Sequence, residues 1–202
     1  MLTLYGGSTG RASRSLWALE ELGVPYRHAP LRPWAEPADL EIIRRLNPNG
    51  RVPILQDGAL VLWESMAINL YLADRYGGGL WPTDPGDRGG VYMWSLWSQT
   101  EIDVPARHRA RRSDDPKVKA GAEAARLAAL QVLEDALTGR AHLLGEAFTL
   151  ADLNVAGTLS EPQEKGWVDG DLDLSKHGMP RLADWLSRCQ ARDSWARVCA
   201  RP

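Results

Sequence analysis

The stretch from Asn47 to Tyr76, NPNGRVPILQDGALVLWESMAINLYLADRY, constrains the fold more than any other part of the chain. Asp57-Gly58 is a hairpin turn signal between two apolar runs. Those runs predict strands over Pro53 to Gln56 and Ala59 to Trp63. Glu64-Ser65 then opens a helix that runs to about Tyr76, with Met66, Ile68, Leu70, Tyr71 and Leu72 as its broad apolar face. Pro53 falls at a strand start, where one ladder donor is given up without harm. A trans Val52-Pro53 bond would make an ordinary strand edge. A cis bond would turn the chain sharply and leave the Val52 backbone exposed to pair with something else.

Upstream, Leu2 to Tyr5 predicts a strand and Gly6-Gly7-Ser8-Thr9-Gly10 a loop. Arg11 to Leu22 predicts a helix with Leu16, Leu19 and Leu22 inward, ended by Gly23. Tyr26 to Ala29 is the second strand. Pro30 to Pro37 is a polar, Pro-rich loop around Trp34, and Ala38 to Leu46 a short helix. The order strand, helix, strand, helix, strand, strand, helix is that of a small α/β sheet with a parallel start and a hairpin finish. Residues 77–90, dense in Gly and Pro, read as a linker.

Everything later reads helical. Val91 to Arg112 predicts one long helix bent at Pro105, and Lys117 to Leu137 a second. Thr149-Leu-Ala-Asp152 has the shape of a capping box, with Asp in the usual Glu place, before a helix from Leu150 to about Glu161. Asp169 to Lys176 is a polar loop. Pro180 to Cys199 is helix broken near Arg192-Asp193. The expected division is an α/β domain over 1–76, a linker over 77–90 and an all-helical domain over 91–202.

Composition narrows the functional classes. The 202 residues carry a net charge of −2, so no overall field draws the chain to nucleic acid or an anionic membrane. Arg107, Arg109, Arg111 and Arg112 form a local basic run, read as a solvated helix end near Asp114-Asp115. No apolar run approaches the roughly 20 residues that cross a bilayer. The first residues, MLTLYGGSTGRASRS, lack the apolar core of a signal peptide. Cys189 and Cys199 make neither a redox pair nor a metal set, and His28, His108, His142 and His177 have no metal-ligand spacing. A metal-free cytoplasmic enzyme is the simplest expectation.

The 47–76 stretch resembles the glutathione-site half of the glutathione S-transferase family: a proline after a hydrophobic residue, a hairpin, then acidic-Ser at a helix start. The resemblance implies a thioredoxin-like first domain followed by an all-helical domain, and it covers nearly the whole chain. It implies a cis Pro53, with the Val52 backbone pairing to the cysteinyl part of glutathione. It implies that Glu64 and Ser65 hold the γ-glutamyl end, with Arg11 and Arg51 also on the cofactor side. A helix N-terminus offers free N–H groups and partial positive charge, which suit a carboxylate, and Glu64 adds an acceptor for an ammonium group.

Glutathione transfer needs a thiolate, yet a free thiol titrates near about 8.5. Lowering that by about two units takes roughly 2.7 kcal/mol, which a hydroxyl donor and a helix N-terminus could supply. Bacterial members that look like this chain read LYxxPxSRxxRxLWxLEELG. Aligned without a gap from Tyr5 to Trp17, their activating serine falls on Gly10, which has no side chain. The remaining candidates, in order, are Thr9, Ser8 and Tyr5, with Ser13 behind them. Thr9 lies where one thiol-oxidoreductase branch carries a threonine. Tyr5 followed by Gly10-Arg11-Ala12 is similar to the tyrosine-type YxxxxGRA. Arg11 could stabilise a thiolate electrostatically or be a surface arginine. No cysteine precedes Cys189, which excludes the cysteine-type branches and dithiol exchange.

The resemblance puts the acceptor pocket against the first helix of the helical domain, where Trp94 and Trp97 share a face and would suit a flat apolar electrophile. Domain or dimer core is the other reading of these tryptophans. Trp34 and Trp167 are candidates for the rim. The family also implies a two-fold homodimer. Two main functions follow: an enzyme conjugating glutathione to an apolar electrophile or using it to reduce peroxides or disulfides, or a glutathione-binding protein with little catalysis, which Gly10 favours. A third is a helical interaction module of the kind fused to translation factors. The stand-alone length and the near-complete glutathione motif argue against it.

Overall fold

The computed structural model describes residues 1–32, 36–103, 113–160 and 174–201. Trp34, Pro105, the basic run from Arg107 to Arg112, His108 and Trp167 lie outside the described residues. The first half is β1 (Leu2–Tyr5), α1 (Arg11–Leu22), β2 (Tyr26–Ala29), α2 (Pro37–Leu46), β3 (Ile54–Asp57), β4 (Leu60–Trp63) and α3 (Ser65–Tyr76). The sheet runs β2-β1-β3-β4, with β1 and β2 parallel and the other pairs antiparallel. This is the thioredoxin-like arrangement, with the parallel start and hairpin finish expected.

The second half, among the described residues, is α4 (Pro85–Trp97), a π-helical turn (Ser98–Ile102), α5 (Pro116–Ala136), α6 (Leu150–Leu159), α7 (Pro180–Gln190) and α8 (Asp193–Cys199). The helix expected to start at Val91 starts at Pro85, inside the segment read as a linker. Asp84 explains the early start: its carboxylate accepts from the Gly86 and Asp87 amides at 2.7 and 3.1 Å, and Pro85 fills the first helical position. A single-turn 3₁₀ segment, Gly78–Leu80, precedes it. At the other end α4 passes into the π turn Ser98–Ile102, capped by Asp103; the remainder of the expected span, to Arg112, lies outside the described residues.

One apolar cluster runs through both halves. It includes Leu2 and Leu4 of β1, Leu16, Trp17 and Leu19 of α1, Ile68 and Leu72 of α3, Leu130 and Leu133 of α5, Leu153 and Val155 of α6, Trp185 of α7 and Trp195 of α8. Every residue of α6 is buried. A polar chain threads this core. Asn69 Nδ2 donates to Asn154 Oδ1 at 2.8 Å, and Asn154 Nδ2 donates to Ser95 Oγ at 2.8 Å, tying α3, α6 and α4 together. Buried polar groups of this kind stay put only when partnered.

Candidate functional site

Strand register assembles the site. Ala29, Tyr5, Ile54 and Trp63 form one row across the sheet. The residues just beyond that row are Gly6 after β1, Pro53 before β3, and Glu64 after β4. Three pieces far apart in sequence therefore meet at one end of the sheet. The Val52-Pro53 peptide is cis, as the resemblance implied.

Gly6 is the hinge of this end. Its φ is +137°, and a Cβ placed there would lie 2.8 Å from Ala12 Cβ and 3.2 Å from Val52 Cβ. The missing side chain lets the Val52 segment close against the first turn of α1. The Gly6 amide donates to Ala29 O at 2.9 Å and its carbonyl lies 2.8 Å from His28 Nε2.

Gly10 caps α1 with φ 60° and ψ −150°, a backbone region essentially restricted to glycine. A Cβ there would meet nothing within 4 Å. Backbone conformation, not lack of room, keeps a serine out. Among the neighbouring hydroxyls, Tyr5 donates to Gln56 Oε1 at 2.8 Å across the sheet. Ser13 donates to Gly10 O at 2.7 Å. Ser8 is buried and hydrogen-bonded or otherwise partnered. Thr9 is half-buried, and its hydroxyl has no hydrogen bond among the described residues.

At the opposite side of the site, Ser65 is 2% exposed at the first position of α3. Glu64, exposed, adopts φ +75° and provides no side-chain cap for the helix. A non-glycine residue there stores roughly 1–3 kcal/mol of strain. The α3 N-terminus thus has no side-chain cap from Glu64, and its positive end lies at the same end of the sheet as Gly6 and Pro53. Arg51 is exposed, its carbonyl accepting from Asn47 Nδ2 at 2.8 Å.

Arg11 is more constrained than its place at a helix start suggested. Its Nε and Nη2 donate to the two oxygens of Asp103 at 2.7 and 2.8 Å. Arg14, fully buried, donates Nη1 to the same carboxylate at 2.7 Å. Two arginines of α1 thus grip the residue that ends the π turn. Asp103 carried no signal in the sequence, because its partners lie 92 and 89 residues away. His28 was equally silent: strand alternation places it on the same face as Tyr26, but only the fold brings it to Gly6.

Trp94 and Trp97 do meet, ring to ring at 5.2 Å and 81°. Trp94 is 7% exposed and belongs to the core, which favours its structural reading. Trp97 lines an open groove of about 440 Å³ with Glu101 and, from α5, Ala125, Ala128, Ala129 and Val132. Both cysteines are free. Burial pushes the Cys189 thiol far up, so it is no nucleophile at neutral pH. Among the described residues no group of His, Cys, Asp and Glu could hold a metal ion, and no helix is long and apolar enough to cross a membrane.

Comparison with known proteins agrees with this architecture. Residues 1–74 match the family model "Glutathione S-transferase, N-terminal domain" and residues 100–193 the model "Glutathione S-transferase, C-terminal domain". A glutathione S-transferase 1 of Manduca sexta is 31% identical over 78% of this chain and 72% of its own length. The solved structure of a glutathione S-transferase-I bound with the ligand lactoylglutathione superposes with a TM-score of 0.80 at 27% identity, over 98% of both chains. A theta class enzyme from the citrus canker pathogen Xanthomonas axonopodis pv. citri, with glutathione bound, gives 0.77 at 28% identity, over 100% of this chain and 98% of its own. The chain belongs to the glutathione S-transferase family.

Proposed function

We propose that the chain binds glutathione at the sheet end framed by Gly6, Pro53 and Glu64, and activates its thiol for attack on an apolar electrophile or for reduction of a peroxide or disulfide. The observation that carries this is the single row Ala29-Tyr5-Ile54-Trp63, which brings the loop, the cis proline and the α3 N-terminus together. In this reading the Val52 backbone pairs with the cysteinyl unit. Ser65 and the α3 amides take the γ-glutamyl carboxylate, and Glu64 takes its ammonium. Arg51, exposed beside the cis bond, is within the same segment and would meet the glycyl carboxylate. Thr9 is the first candidate to donate to the sulfur, being the loop hydroxyl with no other hydrogen bond among the described residues. Arg11 acts through charge rather than contact, because its fork holds Asp103.

The electrophile side is proposed along α4, with Trp97 as the wall. A homodimer is part of the reading and is favoured by the exposed apolar Leu60 and Trp63 of the α/β half and Met93 and Leu96 of α4. A cytoplasmic setting fits two free cysteines.

The test is a calorimetric titration with reduced glutathione near pH 7. A micromolar-to-millimolar Kd that is lost in Ser65→Ala and in Glu64→Ala is expected. No binding to the unaltered protein would sink the assignment.

A second reading, glutathione binding with little catalysis, is favoured by one observation. Gly10 offers only a backbone N–H, and the Tyr5 and Ser13 hydroxyls are already donated elsewhere. The pKa of bound glutathione separates the two: depressed for an enzyme, near the free value for a binder.

A further inference from the structure

We propose that His28, faced by Arg201, is a positioning residue for the Gly6–Gly10 loop: the neutral ring pins the Gly6 peptide at the root of the loop, and the protonated ring releases it. The inference rests on the glutathione reading only for its effect on binding.

The contacts dictate one tautomer. His28 Nε2 lies 2.8 Å from Gly6 O, and a carbonyl can only accept, so Nε2 carries the hydrogen. Nδ1 then holds a lone pair in the neutral ring. Arg201 Nη1 lies 3.4 Å from Nδ1, and a guanidinium can only donate. The Gly6 carbonyl accepts from the ring in either charge state, whereas Arg201 favours the neutral one. A proton on Nδ1 would set two cations against each other at that contact.

Arg201 does not easily swing away. Its Nη2 donates to Glu20 Oε1 at 2.5 Å and to the Tyr26 hydroxyl at 2.6 Å, and its guanidinium carbon lies 5.5 Å from the Tyr26 ring centroid. Tyr26 in turn donates to Glu20 at 2.6 Å. The charged and titratable groups around the ring are Arg201 after α8, Glu20 from α1 with its second partner Arg197 from α8, and Tyr26 on the same strand face. With Arg201 anchored, the ring is the part free to yield.

What yields with it is the site. Gly6 touches both Val52 and Ala12 so closely that a Cβ would clash. Moving the Gly6 peptide moves the Val52 backbone and the first turn of α1 relative to each other. Burial holds the His28 ring below the ordinary histidine value, the Gly6 carbonyl pulling the other way and the Arg201 charge adding to the depression. The ring is therefore neutral near pH 7, and release belongs to a window below the ordinary histidine range. Free glutathione scarcely titrates between about pH 7 and pH 5, but a thiol depressed on binding adds a pH dependence common to all three proteins, so the difference between the unaltered chain and the variants reports His28.

The experiment measures two things at about pH 7 and about pH 5: the Kd for reduced glutathione, and amide hydrogen exchange over residues 6–12 without ligand, corrected for intrinsic rates. The unaltered chain, His28→Gln and Arg201→Met are compared. Glutamine can still donate to Gly6 O but has no proton to gain. Methionine keeps the apolar stem but removes the opposing cation. In the unaltered chain, affinity and loop protection should both fall at least about fivefold on acidification. In either variant loop protection should stay within about twofold, and affinity should fall clearly less than in the unaltered chain.

The same fall in His28→Gln as in the unaltered chain would overturn the proposal. If His28→Gln does not fold, Arg201→Met decides it by the same criterion. If the unaltered chain binds no glutathione at either pH, the proposed function fails, and loop protection alone still supports or overturns the role of His28.

Discussion

Glu64 is strained and exposed, and both properties have consequences that can be measured in one variant. It is the positive-φ residue other than glycine among those described. Glu64→Gly should raise the melting temperature or leave it unchanged, because relief of about 1 kcal/mol offsets the added freedom of the unfolded chain. The same change should abolish measurable glutathione binding, as Glu64→Ala does, since the same charged hydrogen-bond acceptor is lost. Loss of both stability and affinity would mean that the carboxylate also holds the fold. Gly10→Ser is the converse case. The open space around Gly10 invites a hydroxyl, but its backbone does not, so the variant should lose about 1–3 kcal/mol in denaturant unfolding and gain no turnover. At this scale the sequence singled out Pro53, Glu64 and Ser65 through their motif; the cis bond at Pro53 follows it, and their roles toward glutathione are part of the proposed function. The sequence could not disclose that the Tyr5 hydroxyl is taken by Gln56, a partner 51 residues away. Nor could it disclose the φ of Gly10, because a gapless alignment carries no dihedral angles.

The elements were legible where a start signal and an apolar period agreed. The first three strand and helix spans, Leu2–Tyr5, Arg11–Leu22 and Tyr26–Ala29, fall where the pattern put them. The start of α4 was hidden because Gly and Pro density outweighed the Asp84-Pro85 cap in the reading. The start of α6 was legible as Thr149-Leu-Ala-Asp152, but only part of what Asp152 does. Its carboxylate accepts from the Thr149 amide at 3.0 Å, from the Leu143 amide at 2.9 Å and from Trp185 Nε1 at 2.9 Å, while fully buried. With the Thr149 hydroxyl, which also donates to it, Asp152→Ala would strand four buried donors and should cost about 3 kcal/mol or more in chemical unfolding. Thr149→Ala should cost only about 1 kcal/mol, the value of a cap. Equal losses in the two would reduce Asp152 to a capping role.

Across the whole molecule, α1 is clamped by charge to the last helix, α8, and the residues that flank it. Glu21 meets Arg192 and Ser194, and Glu20 meets Arg197 and Arg201. Burial pushes the Glu21 carboxyl up, but its bonds to Arg192 and Ser194 pull it further down, so the net shift is downward. Glu20 is lowered in the same way: burial raises it, and Tyr26, Arg197 and Arg201 overcome that rise. A carboxylate depressed in the folded state adds stability above its unfolded pKa and loses it as pH falls through the folded value. Thermal unfolding should therefore fall steeply below about pH 4.5, and Glu21→Gln should flatten that fall while lowering the melting temperature at pH 7. An unchanged acid slope in the variant would leave the clamp without a role in acid stability. None of these pairings was legible in the sequence, since they join positions more than 170 residues apart.

That separation has a price in time. Trp17 lies wholly within the core, and its indole N–H donates to Ser194, 177 residues further on. A ribosome adding roughly 5–20 residues per second needs about 10–35 s to deliver that partner. Through the interval, the side of α1 destined for α6 and α8 has nothing of its own chain to lie against. Nascent chains stalled before residue 150 should accordingly be held by chaperones at α1, and those carrying α8 clear of the exit tunnel should not.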